Sequence, residues 1–365
     1  MNTSYDYVII GAGVSGCTTA KHLKTYSDSI LLIDKLEDVA MGASGAAGAF
    51  LSPLLGKPNA FKDLVTTSLR YSNNFYTKHT KDFIDTCGTT RIPKDSEDDN
   101  KFKSYIPFND FDYTLDKDGY HFKDASVVSS YDICKHLTND IDKLFNYEVK
   151  TLEYEDDIWI INSQYKAKNI ILTTGYSLDL IDEFYLNIRP VWGQRIVIQT
   201  STCIPYNYHK ECSVSRTIKK DENTYITSIG ATHHRFVEEK ETNKTDTETL
   251  LKKANDILEL KDVNVIQEIG GARASSVDYF PLLGSIINSK KTLDEFPYMK
   301  NGTNVLASRF SRYKNMFILN GVGGRGFVLA PYLSKMLVDH IVNGTVVDES
   351  LKVDRLFKRE VKRLK

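Results

Sequence analysis

Gly11-Ala12-Gly13-Val14-Ser15-Gly16 carries glycines at the spacing GxGxxG, directly after the apolar run Tyr7-Val8-Ile9-Ile10. That order of residues is suited to holding a pyrophosphate. Gly11 permits a tight turn, Gly13 has no Cβ to keep a phosphate from the backbone, and Gly16 lets the next helix pack on the strand. A helix opening there offers unpaired N–H groups and partial positive charge to the anion. Asp34 ends a second apolar run, Ile30-Leu31-Leu32-Ile33, roughly 20 residues on, where a carboxylate accepts hydrogen bonds from ribose hydroxyls. A glycine turn alone says little. Between a buried strand and a helix, with its acid in place, it predicts a dinucleotide site.

Three more glycine segments follow. Met41-Gly42-Ala43-Ser44-Gly45-Ala46-Ala47-Gly48-Ala49 runs into Phe50, Leu51, Pro53, Leu54 and Leu55, which is not linker composition, and its small residues suit backbone N–H groups facing a flat ligand. Thr174-Gly175 ends the apolar run Ile170-Ile171-Leu172. Gly323-Gly324-Arg325-Gly326 follows Met316-Phe317-Ile318-Leu319-Asn320 and opens a helix through Tyr332, Leu333, Met336, Leu337 and Ile341.

The elements between these segments change character. Residues 61–76 and 247–258 read as helices, and 129–145 has helical spacing through Ile133, Leu137, Ile141 and Leu144. Strands are expected at 147–149, 159–161, 168–172, 196–198 and 224–231. Residues 87–122, rich in Asp, Lys and aromatics, read as strands and loops of a second domain. A doubly wound α/β sheet interrupted by insertions fits this order. Residues 1–80, 128–186 and 269–350 would build the cofactor domain, and 81–127 and 187–268 the substrate domain. Residues 351–365 would form a basic tail, a solvated amphipathic helix or a contact for RNA phosphates.

The chain has 365 residues, a formal charge of −1 and a pI of about 6.7, so bulk charge points to neither nucleic acid nor an anionic membrane. The start reads as a strand and not a signal peptide, and no apolar run reaches membrane-span length. Five cysteines without a CxxC pair suggest a reduced, cytoplasmic protein with no metal site. His233 and His234 are expected at the surface, and Cys17 within helix packing.

Taken together, the glycine segments, Pro190-x-x-Gly193-Gln194, and Gly271-x-Arg273 with Asp278-x-x-Pro281-x-x-Gly284 resemble the FAD-dependent amine oxidases of the D-amino-acid oxidase and glycine oxidase superfamily. The resemblance implies a Rossmann-like FAD-binding domain with an interleaved antiparallel-sheet substrate domain. It also separates FAD from a nicotinamide cofactor, which has no use for a second glycine signature so late in the chain. Three stretches are similar to the FAD-dependent oxidase domain of the bifunctional enzymes that build 5-methylaminomethyl groups on the tRNA wobble uridine. They are Gly42 to Pro53, Arg273-Ala274-Ser275-Ser276 to Gly284, and Gly324-Arg325-Gly326 with Ala330-Pro331. Ala46-Ala47 stand where that family carries a polar pair. No methyltransferase half precedes these segments, so a separate methyltransferase acting on the product is expected.

The resemblance implies non-covalent FAD, since no cysteine follows Cys212 to form a late thioether. Its implied ligands are Gly11, Ala12, Gly13, Val14, Ser15, Gly16, Asp34, Lys35, Gly42, Ala43, Ser44, Gly48, Val149, Thr174, Gly175, Gly323, Gly324, Arg325 and Gly326. Arg273 corresponds to the arginine that holds the substrate carboxylate as a bidentate fork, with an interdomain salt bridge as the alternative. Arg325 would favour negative charge on the flavin as it is reduced, or contact a second carboxylate or phosphate. The reaction implied is oxidation of a glycine-type secondary amine. Its substrate would be 5-carboxymethylaminomethyluridine in a tRNA anticodon loop, with glyoxylate released, or a free amine such as glycine, sarcosine or a D-amino acid. Dioxygen or another acceptor would take the electrons. A flavin- or RNA-binding module without turnover is the non-enzyme alternative.

Overall fold

The computed structural model describes residues 3–116, 119–238 and 240–364. Ser4–Ile10 lies at the centre of an eight-stranded sheet, parallel to Ile30–Ile33 on one side and to Tyr165–Leu172 on the other. Asp142–Leu144 pairs outside the first and Arg312–Asn320 outside the second, giving the doubly wound order 3-2-1-4-5 among the parallel strands. Leu282–Ile287 adds an antiparallel edge, and the ribbon of Leu152–Glu155 and Ile158–Ile161 extends the other half of Tyr165–Leu172. The apolar runs that precede the glycine turn and Asp34 are buried on both faces. Ile9, Leu32 and Ile171 point into one core with helices Val14–Leu23, Ala60–His79 and Gly326–Asn343, while Val8, Ile10, Leu31 and Leu172 point into another with Trp159, Tyr185 and Phe357.

Pairing puts Leu144, Ile33, Ile10, Leu172 and Ile318 in one row, so the loops after these strands leave from the same edge. In open α/β sheets that carboxyl edge is where ligands bind.

A ten-stranded, mostly antiparallel sheet stands beside it. Its spine is Ile188–Thr200 paired with Asn264–Ser276, which aligns Val191 with Arg273 and Gly193 with Gly271. Tyr225–Gly230, Ser213–Val214, Asn207–His209 and Thr89–Arg91 follow in order on the other side.

Several expectations are corrected. The spacing through Ile141 and Leu144 does not continue one helix: Ser130–Leu137 ends at a turn, and Asp142–Leu144 is the strand beside Ile30–Ile33. Residues 147–149, expected as a strand, do not form one; the Tyr147 N–H donates to Asp34 O across the strand ends at 3.0 Å. Residues 87–122 include a helix, Ser96–Tyr105, capped by Asp95, whose Oδ1 accepts the Asp98 N–H at 2.8 Å. The helix expected at 247–258 begins earlier, as Lys244–Asn255, because Asn243 caps it.

The basic tail is not a solvated helix either. Asp354–Val361 docks on the cofactor-domain core with Leu356 and Phe357 fully buried. Arg312 forks onto Asp354 (2.6 and 3.2 Å) and Arg355 onto Asp278 (2.8 and 3.1 Å). Of the tail's seven basic residues, Arg355 is thereby spent inside the protein. Lys365 lies outside the described residues.

Candidate active site

The first glycine turn is fixed by packing. Gly11 has φ +108°, and a Cβ there would sit 2.4 Å from Thr173 O; a Cβ on Gly16 would sit 1.9 Å from Gly11 O. Gly13 is open by comparison, with only Ser44 Oγ within reach at 3.1 Å, and that hydroxyl accepts the Val14 N–H at 2.9 Å. Asp34 does a second job besides facing the cleft: its two carboxylate oxygens accept the Ala12 N–H (2.6 Å) and the Leu36 N–H (2.9 Å), tying turn to strand end. Each oxygen retains accepting capacity for a ribose hydroxyl. Ala12 and Gly16 lie behind this surface and do not line the cleft.

Gly326–Asn343 brings a second helix N-terminus to the same place. A Cβ on Gly326 would sit 3.2 Å from Val14 Cγ1, and Ser334 Oγ joins Thr18 (2.7 Å) and Thr19 (3.0 Å) lower down the two helices. Two positive dipole ends therefore converge on one cleft. Its volume is about 1020 Å³, at the upper end for small-molecule sites and enough for an extended dinucleotide. Gly11, Gly13, Val14, Ser15, Asp34, Lys35, Gly42, Ala43, Ser44, Gly48, Val149, Thr174, Gly175, Gly323, Gly324, Arg325 and Gly326 all line it, together with Arg273.

The small-residue cluster forms a short helix, Ala43–Ala46, pressed onto the long strand at Gly271, where a Cβ would come within 2.9 Å of Ala46 Cβ and 3.0 Å of Ala43 Cα. Arg195 secures its end by donating to Gly45 O (3.1 Å) and Ala46 O (3.2 Å). Apolar Ala46 thus has a packing role.

At the other end of the cleft the charge is positive. Arg273 donates from Nη1 to Thr232 O at 3.2 Å, and its guanidinium occupies the space above Gly193, 2.6 Å from where a Cβ would stand. That contact explains the glycine of Pro190-x-x-Gly193. Arg325 Nη1 donates to Ser52 O (3.4 Å), and Arg91 Nη1 donates to Pro53 O (3.3 Å). Burial lowers the pKa of both, each to about 10, and Arg325 adds to the effect on Arg91. Among the described residues, arginine ion pairs involve Arg216, Arg312, Arg355, Arg359 and Arg363, and none of the cleft arginines. Arg273 is therefore not spent on an interdomain salt bridge.

Two histidines complete this end. His209, hydrogen-bonded to Ser213 Oγ at 2.8 Å, is pushed down to about 3 by burial and by Arg91 and Arg325. His233 is lowered by burial and by Arg273 and lines the cleft, whereas His234 turns away to Asp246 at 3.0 Å. Both cleft histidines are neutral at pH 7. Sequence reading missed Arg91 and His209; His233 is exposed, as expected, and also lines the cleft. A paired histidine at a strand end was the only visible signal, and nothing local marks Arg91. Cys17 packs inside its helix as expected, with Sγ donating to Ala12 O at 3.3 Å, and the described residues contain no cluster able to hold a metal.

Residues 6–340 match the family described as DAO, FAD dependent oxidoreductase. The tRNA 5-methylaminomethyl-2-thiouridine biosynthesis bifunctional protein MnmC of Campylobacter fetus subsp. fetus is 23% identical across 98% of this chain and 60% of its own length. Its counterpart in Legionella pneumophila is 21% identical across 90% of this chain and 53% of its own length. The chain thus spans between half and three-fifths of these relatives. Among solved structures, glycine oxidase from Geobacillus kaustophilus superposes with a TM-score of 0.74 at 16% identity, covering 96% of this chain and 99% of that chain. L-proline dehydrogenase from P. horikoshii gives 0.75 at 15% identity, covering 100% and 99%. These likenesses establish the fold.

Proposed function

The chain belongs to the DAO family of FAD-dependent oxidoreductases, and from that premise we propose that it oxidises the C–N bond of a glycine-type secondary amine, 5-carboxymethylaminomethyluridine at the tRNA wobble position. The observation that carries the reading is the match to the tRNA-modifying relatives along 98% of the chain, the Arg273 segment included.

The cleft fits FAD on its own terms. Two glycine-opened helix N-termini converge on it, Gly13 leaves the backbone approachable, and Asp34 stands where a ribose would lie. Gly11, Gly13 to Ser15, Ser44 and Gly323 to Gly326 would hold the pyrophosphate and flavin side, and Asp34, Lys35 and Val149 the adenosine. When bound, FAD supplies a two-electron acceptor, so that the amine carbon becomes an imine carbon and water then releases glyoxylate and the primary amine. Arg273 would hold the substrate carboxylate and so fix the reacting carbon. Neutral His233 beside Arg273 would leave the amine free of a competing cation. Arg325, at the opening of the last helix, would favour electron density arriving at the flavin. Single-stranded loops expose their bases, so a modified anticodon uridine needs no duplex opening to enter.

A free glycine-type amine is the second reading, favoured by the fold shared with glycine oxidase and by a net charge of only −1. Nucleoside analysis of tRNA from cells lacking the protein separates the two. The tRNA reading expects 5-carboxymethylaminomethyluridine to accumulate and the FAD-loaded protein to convert it with release of glyoxylate. Normal wobble nucleosides, with rapid oxidation of a free amino acid, would assign the second reading instead.

A further inference from the structure

Arg91 and Arg325 come from different sheets and meet over one short segment. Thr89–Arg91 belongs to the antiparallel sheet, and Arg325 follows the last strand of the parallel one. Their guanidiniums are anchored on consecutive carbonyls, those of Pro53 and Ser52. Among the described residues each donates one protein hydrogen bond of the five available to an arginine, and Arg91 Nε is buried without a partner. No carboxylate neutralises the pair among the described residues; the acid that favours the Arg91 charge, Asp98, makes no ion pair with it. Two like charges packed together with unspent donors are costly unless an anion offsets them. Holding residues 52–53 in place needs only the two bonds already made. Both arginines line the cleft, at the end that also holds Arg273.

We propose that Arg91 and Arg325 form a second anion subsite, so that the substrate is a glycine-type amine bearing a further carboxylate or phosphate group. This rests on the reading of Arg273 as the clamp for the first carboxylate. A dicarboxylate amine and a nucleotide phosphate present the same oxygen chemistry to a guanidinium fork.

The test uses the FAD-loaded protein and two ligand pairs. Methylthioacetate and thiodiacetate carry one and two carboxylates on a thioether that has no C–N bond to oxidise, and their affinities are read from the flavin absorbance. 5-Carboxymethylaminomethyluridine and its 3′,5′-bisphosphate are compared anaerobically by flavin bleaching. The more highly charged member of at least one pair is expected to bind tenfold or more tighter than its partner. A preference confined to thiodiacetate identifies a dicarboxylate, and one confined to the bisphosphate identifies a nucleotide. Arg91→Gln should bring that ratio towards one, and Arg91→Lys should keep part of it. Ratios below threefold in both wild-type pairs overturn the proposal, as does an Arg91→Gln protein that retains FAD and loses the less and the more highly charged ligands equally. If Arg91→Gln fails to retain FAD, the wild-type ratios decide. If Arg273→Ala leaves methylthioacetate binding unchanged while the ratio persists, the Arg273 reading fails and the second subsite stands.

Discussion

Arg273 is held by an absence. Its guanidinium lies where any side chain at position 193 would project, so Gly193 is as much a part of the proposed carboxylate clamp as the arginine itself. Arg273→Ala should keep FAD and lose turnover on an N-alkylglycine by a factor on the order of 100, because an unanchored carboxylate no longer fixes the reacting carbon. Gly193→Ala should reproduce much of that loss with the arginine still present; normal kcat/KM in either variant would remove Arg273 from the site. Gly16 offers a contrasting case, since its neighbour is the Gly11 backbone, which cannot swing aside. Gly16→Ala should destabilise the protein by roughly 1–3 kcal/mol and abolish FAD retention, checked by denaturant unfolding and by the flavin absorbance of the purified protein.

The Asp354–Val361 helix carries a larger share of the structure than a terminal basic segment suggests. Phe357 and Leu356 are fully buried, and Asp354 is almost inaccessible beneath its Arg312 fork. Removing the carboxylate leaves a guanidinium without its partner, which costs more than the pair contributes when intact. Asp354→Ala should therefore lower unfolding stability by about 2 kcal/mol or more. Removing residues 352–365 should expose the core and yield insoluble protein. A truncated chain that stays in solution and yellow would show the helix to be dispensable.

The whole molecule couples charge to pH through groups that cannot accept a proton while folded. His22, hydrogen-bonded to Pro331 O at 3.1 Å, is pushed down to about 4 by burial, and His209 to about 3. Unfolded histidines bind a proton below about 6.5, whereas these do not, so the unfolded state binds more protons as pH falls from 6.5 towards 4. Stability is unaffected by them above that range and declines within it, by roughly 2 kcal/mol for His22 at pH 5. Although burial opposes it, Arg355 holds the Asp278 carboxyl below its ordinary range, adding a further loss at lower pH still. Melting of the FAD-loaded protein should thus show a lower Tm at pH 5 than at pH 7. A flat profile would contradict the buried, neutral histidines.

The cofactor turn and the class of fold were legible in the amino-acid order, because a glycine turn and an apolar run are local events written in adjacent residues; the enzyme class came through the family resemblance of several segments in order. Gly11 to Gly16 with Asp34 needed no distant partner to be recognised. Three things were decided only by tertiary packing. Residues 142–144 and 147–149 are both short and partly apolar, and the strand slot beside Ile30–Ile33 went to the first. The tail's apolar stripe looked like one face of a solvated helix until Tyr185, Phe310 and the Arg312 fork gave it a surface to cover. Arg91 sits about 230 residues before Arg325, in a strand with no motif, and becomes a site residue only because two sheets place it there. Convergence of side chains from distant segments leaves no spacing in the chain to read, since it depends on how whole sheets pack and not on neighbouring residues.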